Sequence, residues 1–277
     1  VFLTDRQNLH SVTALVAALD TREELRSLPV RFIWRDRSAE REILRLAGET
    51  GGPLWLALSY MTAARARIAT LVQALRARSE LAGRLLVIAG GPHPSGAPRE
   101  VLADGVDFVV QGDGESTFPE LLVRIQSGGS LDDIPGLCRR AEGRIRCSPR
   151  AHPTDLDQYD PFSLRYERFA PLEITRGCPH ACHFCQTAFL HGGAVRHRSV
   201  PVLQEFVARA STHGYDFLRF VTPNALAYGS PDGVTIDLTQ VEALLVALGR
   251  LIPRKRIYFG TFPSEVRPEN VTREALE

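Results

Sequence analysis

"TRGCPHACHFCQT", Thr175 to Thr187, holds three of the five cysteines of the chain, Cys178, Cys182 and Cys185, in the spacing C-x3-C-x2-C. The apolar "PLEIT" (Pro171 to Thr175) reads as a strand before it, and a helical pattern follows. The loop is therefore expected at the carboxyl end of a strand, where α/β barrels carry their chemistry. A zinc ribbon or finger takes four ligands, usually as two pairs. His180 and His183 lie inside the loop and would make a strained cage; His191 and His197 stand at a more acceptable spacing, but no second Cys/His pair follows. Three thiolates suit a centre that keeps one position open. A [4Fe–4S] cluster normally takes four, so with three ligands one iron is left to bind a substrate or cofactor.

The 277 residues allow one large or two ordinary domains with substantial cores. Lys+Arg is 33 against Asp+Glu 32, which leaves no basic footprint for nucleic acid. No apolar run approaches the ~18 residues of a membrane helix, and no charged-then-apolar leader opens the sequence on Val1. Five cysteines do not make a disulfide framework in a chain of this length. Three in one loop point to a metal in a reducing, cytoplasmic compartment.

The first half alternates strand and helix patterns. Strands are expected at Val1–Leu3, Val30–Trp34, "PLWLALSY", "RLLVIAGG" and "VDFVVQG". Helices are expected in "SVTALVAALDTREELRSL", after Ser38 as N-cap, from Thr62 to Glu80, near Arg99 to Ala103 and near Phe118 to Gln126. By the right-handed crossover rule this is an open parallel α/β sheet, which binds ligands at the carboxyl ends of its strands. Three loops stand there: "SYMT" (Ser59 to Thr62), "GGPHPSG" (Gly90 to Gly96) and "GDGE" (Gly112 to Glu115). Paired glycines let a ligand approach the backbone, though plain turn chemistry also accounts for them. The first strand is followed by "TDRQNLHS", without a dinucleotide G-x-G-x-x-G, and no phosphate-binding P-loop occurs.

From Ser127 to Leu172 the pattern changes. "GLCRRAEGRIRCS" reads as a hairpin with Cys138 and Cys147 flanking its turn. They could pair across the strands, but a reducing compartment would keep them as two small free thiols. "AHPTDLDQYDPF" reads as an interdomain linker, packed by the aromatics from Tyr159 to Phe169.

The cysteine spacing, with Phe184 before the last cysteine, resembles the radical S-adenosylmethionine (SAM) superfamily. The resemblance implies a [4Fe–4S] cluster on Cys178, Cys182 and Cys185, whose free iron chelates the amino and carboxylate groups of S-adenosylmethionine. One electron then cleaves it to methionine and a 5′-deoxyadenosyl radical. "LSYMT", "IAGGPHPSG", "VDFVVQGDGE" and "IPGLCRRAEG" resemble the cobalamin-binding domain that precedes many such enzymes. "RHRS" (Arg196 to Ser199) and "YFGTFPSEVRPENVT" (Tyr258 to Thr272) resemble one poorly characterised subgroup. The implied architecture is a doubly wound, Rossmann-like cobalamin domain over 1–127, a hairpin and linker over 128–170, and a radical-SAM β/α barrel over 171–277. Only three barrel strands, "PLEIT", "FLRFVT" and "RIYFGTF", are recognisable where such barrels have six βα units, so the rest is expected outside this sequence.

The resemblance carries over to particular residues. Phe184, Thr222 and Asn224, with Ser264, Glu265 and Arg267, are the candidate S-adenosylmethionine contacts. Thr222 and Asn224 would meet its amino group. Arg267 suits the carboxylate, because a guanidinium can grip both oxygens. Against this, Pro223–Asn224 could be a simple strand-end turn, and the charges around Pro268 and Glu269 could be helix caps. Ser59, Thr62, Gly90, Gly91, His93, Gly112 and Glu115 are the candidate cobalamin contacts. The D-x-H-x-x-G motif whose histidine ligates cobalt is absent. His93 is thus expected to be a loop residue rather than the lower ligand. No catalytic residue is singled out.

The expected activity is cobalamin-dependent methyl transfer or another radical transformation of a small-molecule or unknown substrate. An electron donor such as flavodoxin or ferredoxin would serve it, with neither nucleic acid nor a membrane as partner. The alternatives are a radical enzyme that has lost cobalamin and a non-catalytic iron–sulfur or zinc protein. Methylthiotransferases share the layout but carry extra cysteines in the first domain, and none precedes Cys138.

Overall fold

The computed structural model describes residues 1–261 and 265–276. The chain divides into two compact units, Val1–Thr154 and Asp155–Glu277.

The first unit is built on a sheet whose spatial order is β2-β1-β3-β4-β5-β6-β7. β1 (Phe2–Thr4), β2 (Phe32–Trp34), β3 (Leu54–Ser59), β4 (Leu85–Gly90) and β5 (Phe108–Val110) run parallel. Leu54, Leu56 and Leu58 of β3 stand in register with Leu85, Val87 and Ala89 of β4. The period of two turns all six to the same face. There they meet α2 (Ala39–Thr50), α3 (Arg65–Arg76) and α5 (Pro98–Ala103) in one core with Ile43, Ile68, Val72 and Leu102. In α2 the buried Ala39, Ile43, Leu46 and Ala47 fall at helical spacing, which gives the helix a single apolar stripe. α1 (Leu9–Asp20) buries Val12, Val16 and Leu19 and packs against α6 (Thr117–Ser127). A five-residue helix, α4 (Pro92–Gly96), follows β4.

Three expectations change here. Ser38 occupies the N-cap of α2 but does not cap it: its hydroxyl bonds the Asp36 and Glu42 carboxylates, and Asp36 accepts the Ser38 N–H at 2.7 Å. The hairpin of β6 (Leu137–Ala141) and β7 (Arg144–Cys147) is not confined to a connector, since β6 pairs antiparallel with β5 and extends the sheet. Cys138 and Cys147 are not free thiols but form a disulfide. The antiparallel register sets them directly opposite, with Cα atoms 4.0 Å apart, so proximity rather than compartment makes the pairing available.

In the second unit β8 (Leu172–Glu173), β11 (Leu218–Val221) and β12 (Ile257–Tyr258) are parallel in the order β12-β11-β8. α8 (Val200–Ser211) and α9 (Leu238–Gly249) connect them and pack on each other. Consecutive parallel strands with an intervening helix are the repeating wall of a β/α barrel, here a partial one. Asp237 caps α9 by accepting the Gln240 N–H at 3.1 Å. The core joins Leu172, Ile174, Phe206, Leu218, Phe220, Leu244 and Leu248. Phe162 belongs to it, edge-on to Phe206 at 4.8 Å and to Tyr215 at 5.1 Å. The aromatics expected to pack a linker therefore build this core. A short antiparallel pair, β9 (Thr175–Arg176) with β10 (Arg196–His197), and α7 (Thr187–His191) complete the region of the cysteines. No helix among the described residues is long and apolar enough to cross a membrane.

Candidate functional site

The cysteine loop leaves β9 and returns through α7 to β10, so its two ends are zipped together, Thr175 opposite His197 and Arg176 opposite Arg196. Cys178 N–H donates to Gly192 O at 3.2 Å, and Arg196 donates to His191 O at 2.7 Å. Gly177 has φ 91°, and a Cβ there would lie 2.2 Å from Ala194 O. Only glycine lets the chain pass its own returning strand at this point. Arg176 is buried beneath the loop in a two-pronged ion pair with the buried Glu173, at 3.0 and 2.6 Å.

All three cysteines are free; Cys178 is half-buried, Cys182 and Cys185 exposed. Cys185 N–H donates to Cys182 O at 2.9 Å, and its thiol lies 3.2 Å from Thr187 Oγ1. Among the described residues no three His, Cys, Asp or Glu side chains converge as a metal site. The donor set still suits an iron–sulfur cluster: three thiols of one short loop, two of them accessible. Convergence of such ligands is commonly completed by the metal itself. Phe184 is 92% exposed and contributes no packing.

The loop after β11 brings Thr222, Asn224 and Glu265 together, all three buried. Thr222 N–H donates to Glu265 Oε1 at 3.2 Å, Thr222 Oγ1 donates to Asn224 O at 3.2 Å, and Ala225 N–H donates to Glu265 O at 2.6 Å. Asn270, which nothing in the sequence singles out, donates to Asn224 Oδ1 at 3.2 Å. Asn224 Nδ2 is buried without a hydrogen-bond partner, as is His180 Nε2. Both residues line one small cavity with Thr175, Cys178 and Ala227. A buried donor left over beside a cysteine loop is what a site for an acceptor group such as a carboxylate would present. Arg267 is not part of this group: its guanidinium pairs with Glu269 at 2.6 Å, because the carboxylate two residues on is the nearest match for its fork. Ser264 lies outside the described residues.

In the first unit the strand order reverses between β1 and β3, and the candidate residues gather at the carboxyl ends around that reversal. Gly90 closes β4 in register with Ser59. Gly91 has φ 87°, and a Cβ on it would fall 2.8 Å from Ser59 Oγ and 3.3 Å from Tyr60 N. This glycine must lack a side chain because the end of β3 lies against it. The close approach leaves a floor of backbone and small side chains, including Ser95, whose Oγ accepts the Gly112 N–H at 3.1 Å. Such a floor fits a large flat cofactor.

Thr62 is exposed, with Oγ1 3.3 Å from His93 Nδ1. His93 is 6% exposed, against the Tyr60 ring at 5.6 Å and with Nε2 3.6 Å from Glu100. It lies in α4 rather than in a loop. Burial pushes its pKa below the usual histidine value, so the ring is neutral. Glu115 is buried.

The sequence reading missed the loop after β1. Asn8 donates to Leu3 O and to Ser59 O, both at 2.9 Å, and so ties β1 to β3 at the reversal. Ser11 and Ser59 hydroxyls meet at 2.9 Å. Asp5 accepts from Gln7 N–H and Asn8 N–H at 2.7 and 2.9 Å and pairs with Arg35. The Asp-x-x-Asn spacing of "TDRQNLHS" was the available signal for a side-chain-bonded turn.

Comparison with known proteins bears on the first unit by family model and on the chain by fold. Residues 14–122, within the first unit, match the B12 binding domain family. An uncharacterized methyltransferase of Pyrococcus horikoshii is 28% identical over 151 residues, 50% of this chain and 33% of that protein. The anaerobic magnesium-protoporphyrin IX monomethyl ester cyclase of Synechocystis is 29% identical over 155 residues, 50% of this chain and 31% of that protein. The matched segments thus span about a third of the length of these curated relatives. The fold is shared with the radical S-adenosylmethionine methyltransferase TsrM of Kitasatospora setae, with TM-score 0.65 and 16% identity over 90% of this chain and 50% of that one. It is shared also with the cobalamin-dependent S-adenosylmethionine radical enzyme OxsB, with TM-score 0.64 and 14% identity over 89% of this chain and 36% of that one.

Proposed function

We propose that this chain, a B12-binding-domain protein of the radical S-adenosylmethionine kind, carries the cofactors of an enzyme that transfers a methyl group to carbon or performs another radical transformation. The observation that supports this most is the C-x3-C-x2-C loop at the end of the first strand of a partial β/α barrel, in a chain whose other unit is a B12 binding domain. Methyltransferases recur among the relatives, which favours methyl transfer over rearrangement.

When bound, a [4Fe–4S] cluster and a corrinoid would supply electron transfer and methyl carriage, chemistry beyond the reach of side chains. The chain's own residues bind and orient. Cys178, Cys182 and Cys185 hold the irons. Thr222 and Asn224 offer hydrogen bonds beside them, and Asn224 Nδ2 is the unused donor. Glu265, already engaged with Thr222 N–H and the loop backbone, shapes that pocket. Ser59, Gly90, Gly91, Gly112 and Ser95 form the corrinoid floor. His93 is covered by Tyr60, Thr62 and Glu100 and stands outside any D-x-H-x-x-G motif, so we assign it to the packing beside the floor rather than to the lower face of cobalt. Flavodoxin or ferredoxin is the proposed source of the electron, and the substrate is a small molecule or of unknown kind.

The test is metal and corrinoid analysis after anaerobic reconstitution with iron, sulfide and hydroxocobalamin. Four irons per chain, a bound corrinoid and a reduced paramagnetic signal that changes on adding S-adenosylmethionine are expected. Iron without corrinoid would leave a radical enzyme that does not use cobalamin. Zinc in place of iron would overturn the reading.

A further inference from the structure

One imidazole joins the cysteine loop to the segment that follows β11. His197 Nδ1 lies 2.9 Å from Thr175 Oγ1 and 3.3 Å from Gly229 N, and its Nε2 lies 2.8 Å from Ser230 O. A carbonyl oxygen can only accept, so Nε2 carries the proton. Nδ1 is then the acceptor for the Gly229 N–H and the Thr175 hydroxyl. Both ring nitrogens are used by this network, in a single neutral tautomer. The ring also packs edge-on to Tyr228 at 5.5 Å, and Tyr228 Oη donates to Arg198 O at 2.6 Å.

The two ends of this bridge have distinct duties. Thr175 begins β9, three residues before Cys178. Gly229 and Ser230 close the turn that opens at Asn224, through the 3-10 segment Ala225–Ala227. Thr175, Cys178, Asn224 and Ala227 all face the same small cavity. The backbone bonds of the loop clasp, Arg176 opposite Arg196 and Cys178 to Gly192, hold the loop to itself. They do not by themselves set its distance from Asn224. His197, on β10, contacts both segments by side chain, beside the Ile174 N–H to Val221 O bond and the Tyr228 to Arg198 bond that also link them.

We infer that His197 is a positioning residue that holds the cysteine loop in register with the Thr222–Asn224 group, so that both can engage one S-adenosylmethionine molecule. This rests on the function proposed above. It assigns to the histidine of "RHRS" an alignment role toward that ligand, without direct contact with iron or substrate.

The experiment separates alignment from simple structural support. His197→Ala, His197→Gln and Thr175→Val are reconstituted anaerobically beside the wild-type chain, and iron content, S-adenosylmethionine affinity and the paramagnetic spectrum are measured. Expected is full iron content in all, with S-adenosylmethionine binding about tenfold weaker in His197→Ala, as the loss of two or three neutral hydrogen bonds would give. The spectral change on adding ligand should shrink in step. His197→Gln, which keeps a donor for Ser230 O, should recover part of the affinity, and Thr175→Val should fall between. Wild-type affinity and spectrum in both His197→Ala and Thr175→Val would overturn the inference. So would iron loss that parallels the loss of ligand binding in every folded variant, since that is a scaffold effect. A wild-type chain that holds no iron, or shows no response to S-adenosylmethionine, would instead bring down the underlying function.

Discussion

The two cofactor regions are prepared in opposite ways. At the carboxyl ends of the first sheet the groups are already committed to one another: Asn8 to β1 and β3, Ser95 to Gly112, Gly91 pressed against Ser59. In the second unit the cysteines stand free, two of them exposed, on a loop whose base alone is locked. A large, mostly neutral corrinoid can be received by a rigid floor of small residues. Three thiolates repel one another and gain from convergence only when a metal is present. The base of the loop must therefore be rigid and its tip need not be.

Four sets of substitutions would break or sharpen this contrast. The largest effect is expected at the free thiols. Cys178→Ala, Cys182→Ala and Cys185→Ala should each abolish iron binding, read from the visible absorption, and leave corrinoid binding by the first unit unchanged. Cys138→Ala and Cys147→Ala should keep the iron.

The rigid base of the loop comes next. Arg176→Met leaves the buried Glu173 carboxylate without its two-pronged partner, and should cost about 3–5 kcal/mol in denaturant unfolding of the second unit. An unchanged midpoint would show that the base is not locked by this pair.

The floor of the first unit is tested third. Gly91→Leu must force a side chain against Ser59 Oγ at positive φ, and should cost about 3 kcal/mol. Gly90→Ala, whose Cβ would meet Val110 O at 3.4 Å, should be far milder. Both are read from thermal unfolding without cofactor. Equal losses would mean that the close approach at Gly91 is not special.

The smallest effect is acid sensitivity. Burial holds the His93 pKa below the ordinary histidine value of about 6.5. The unfolded chain thus binds the proton more readily. Stability from this group is complete above about pH 6.5 and falls as the pH drops through the window below it. His93→Gln should flatten that part of the pH profile between pH 5 and 7.5; a profile unchanged by the substitution would remove His93 as its source.

The parallel sheet was legible because continuous apolar runs such as "PLWLALSY" suit strands covered on both faces, and Leu54 to Ser59 is a strand as read. Thr222, Asn224 and Glu265 were reachable because a strand end is a sequence-local feature, and the structure does bring them together. Arg267 pairs with Glu269, a contact that its suitability for a carboxylate does not by itself foretell, since sequence does not say which carboxylate it meets. Cys138 and Cys147 pair because the strand register sets them opposite, which composition and compartment do not reveal. The loop after β1 was passed over because its importance comes from standing where the strand order reverses, a property of the assembled sheet.

By itself the sequence determined the donor set and its order: three thiols within one loop behind an apolar strand, and glycine-bearing turns behind three others. These are matters of covalent proximity, which survives any arrangement of the rest. Tertiary structure alone decided that Gly91 must lack a side chain because Ser59 lies against it, that Cys138 meets Cys147, and that His197 spans Thr175 and Ser230. Each of these depends on strand register or on two loops meeting in space. Register is set by which apolar faces can be buried together, and no single stretch of the chain encodes that.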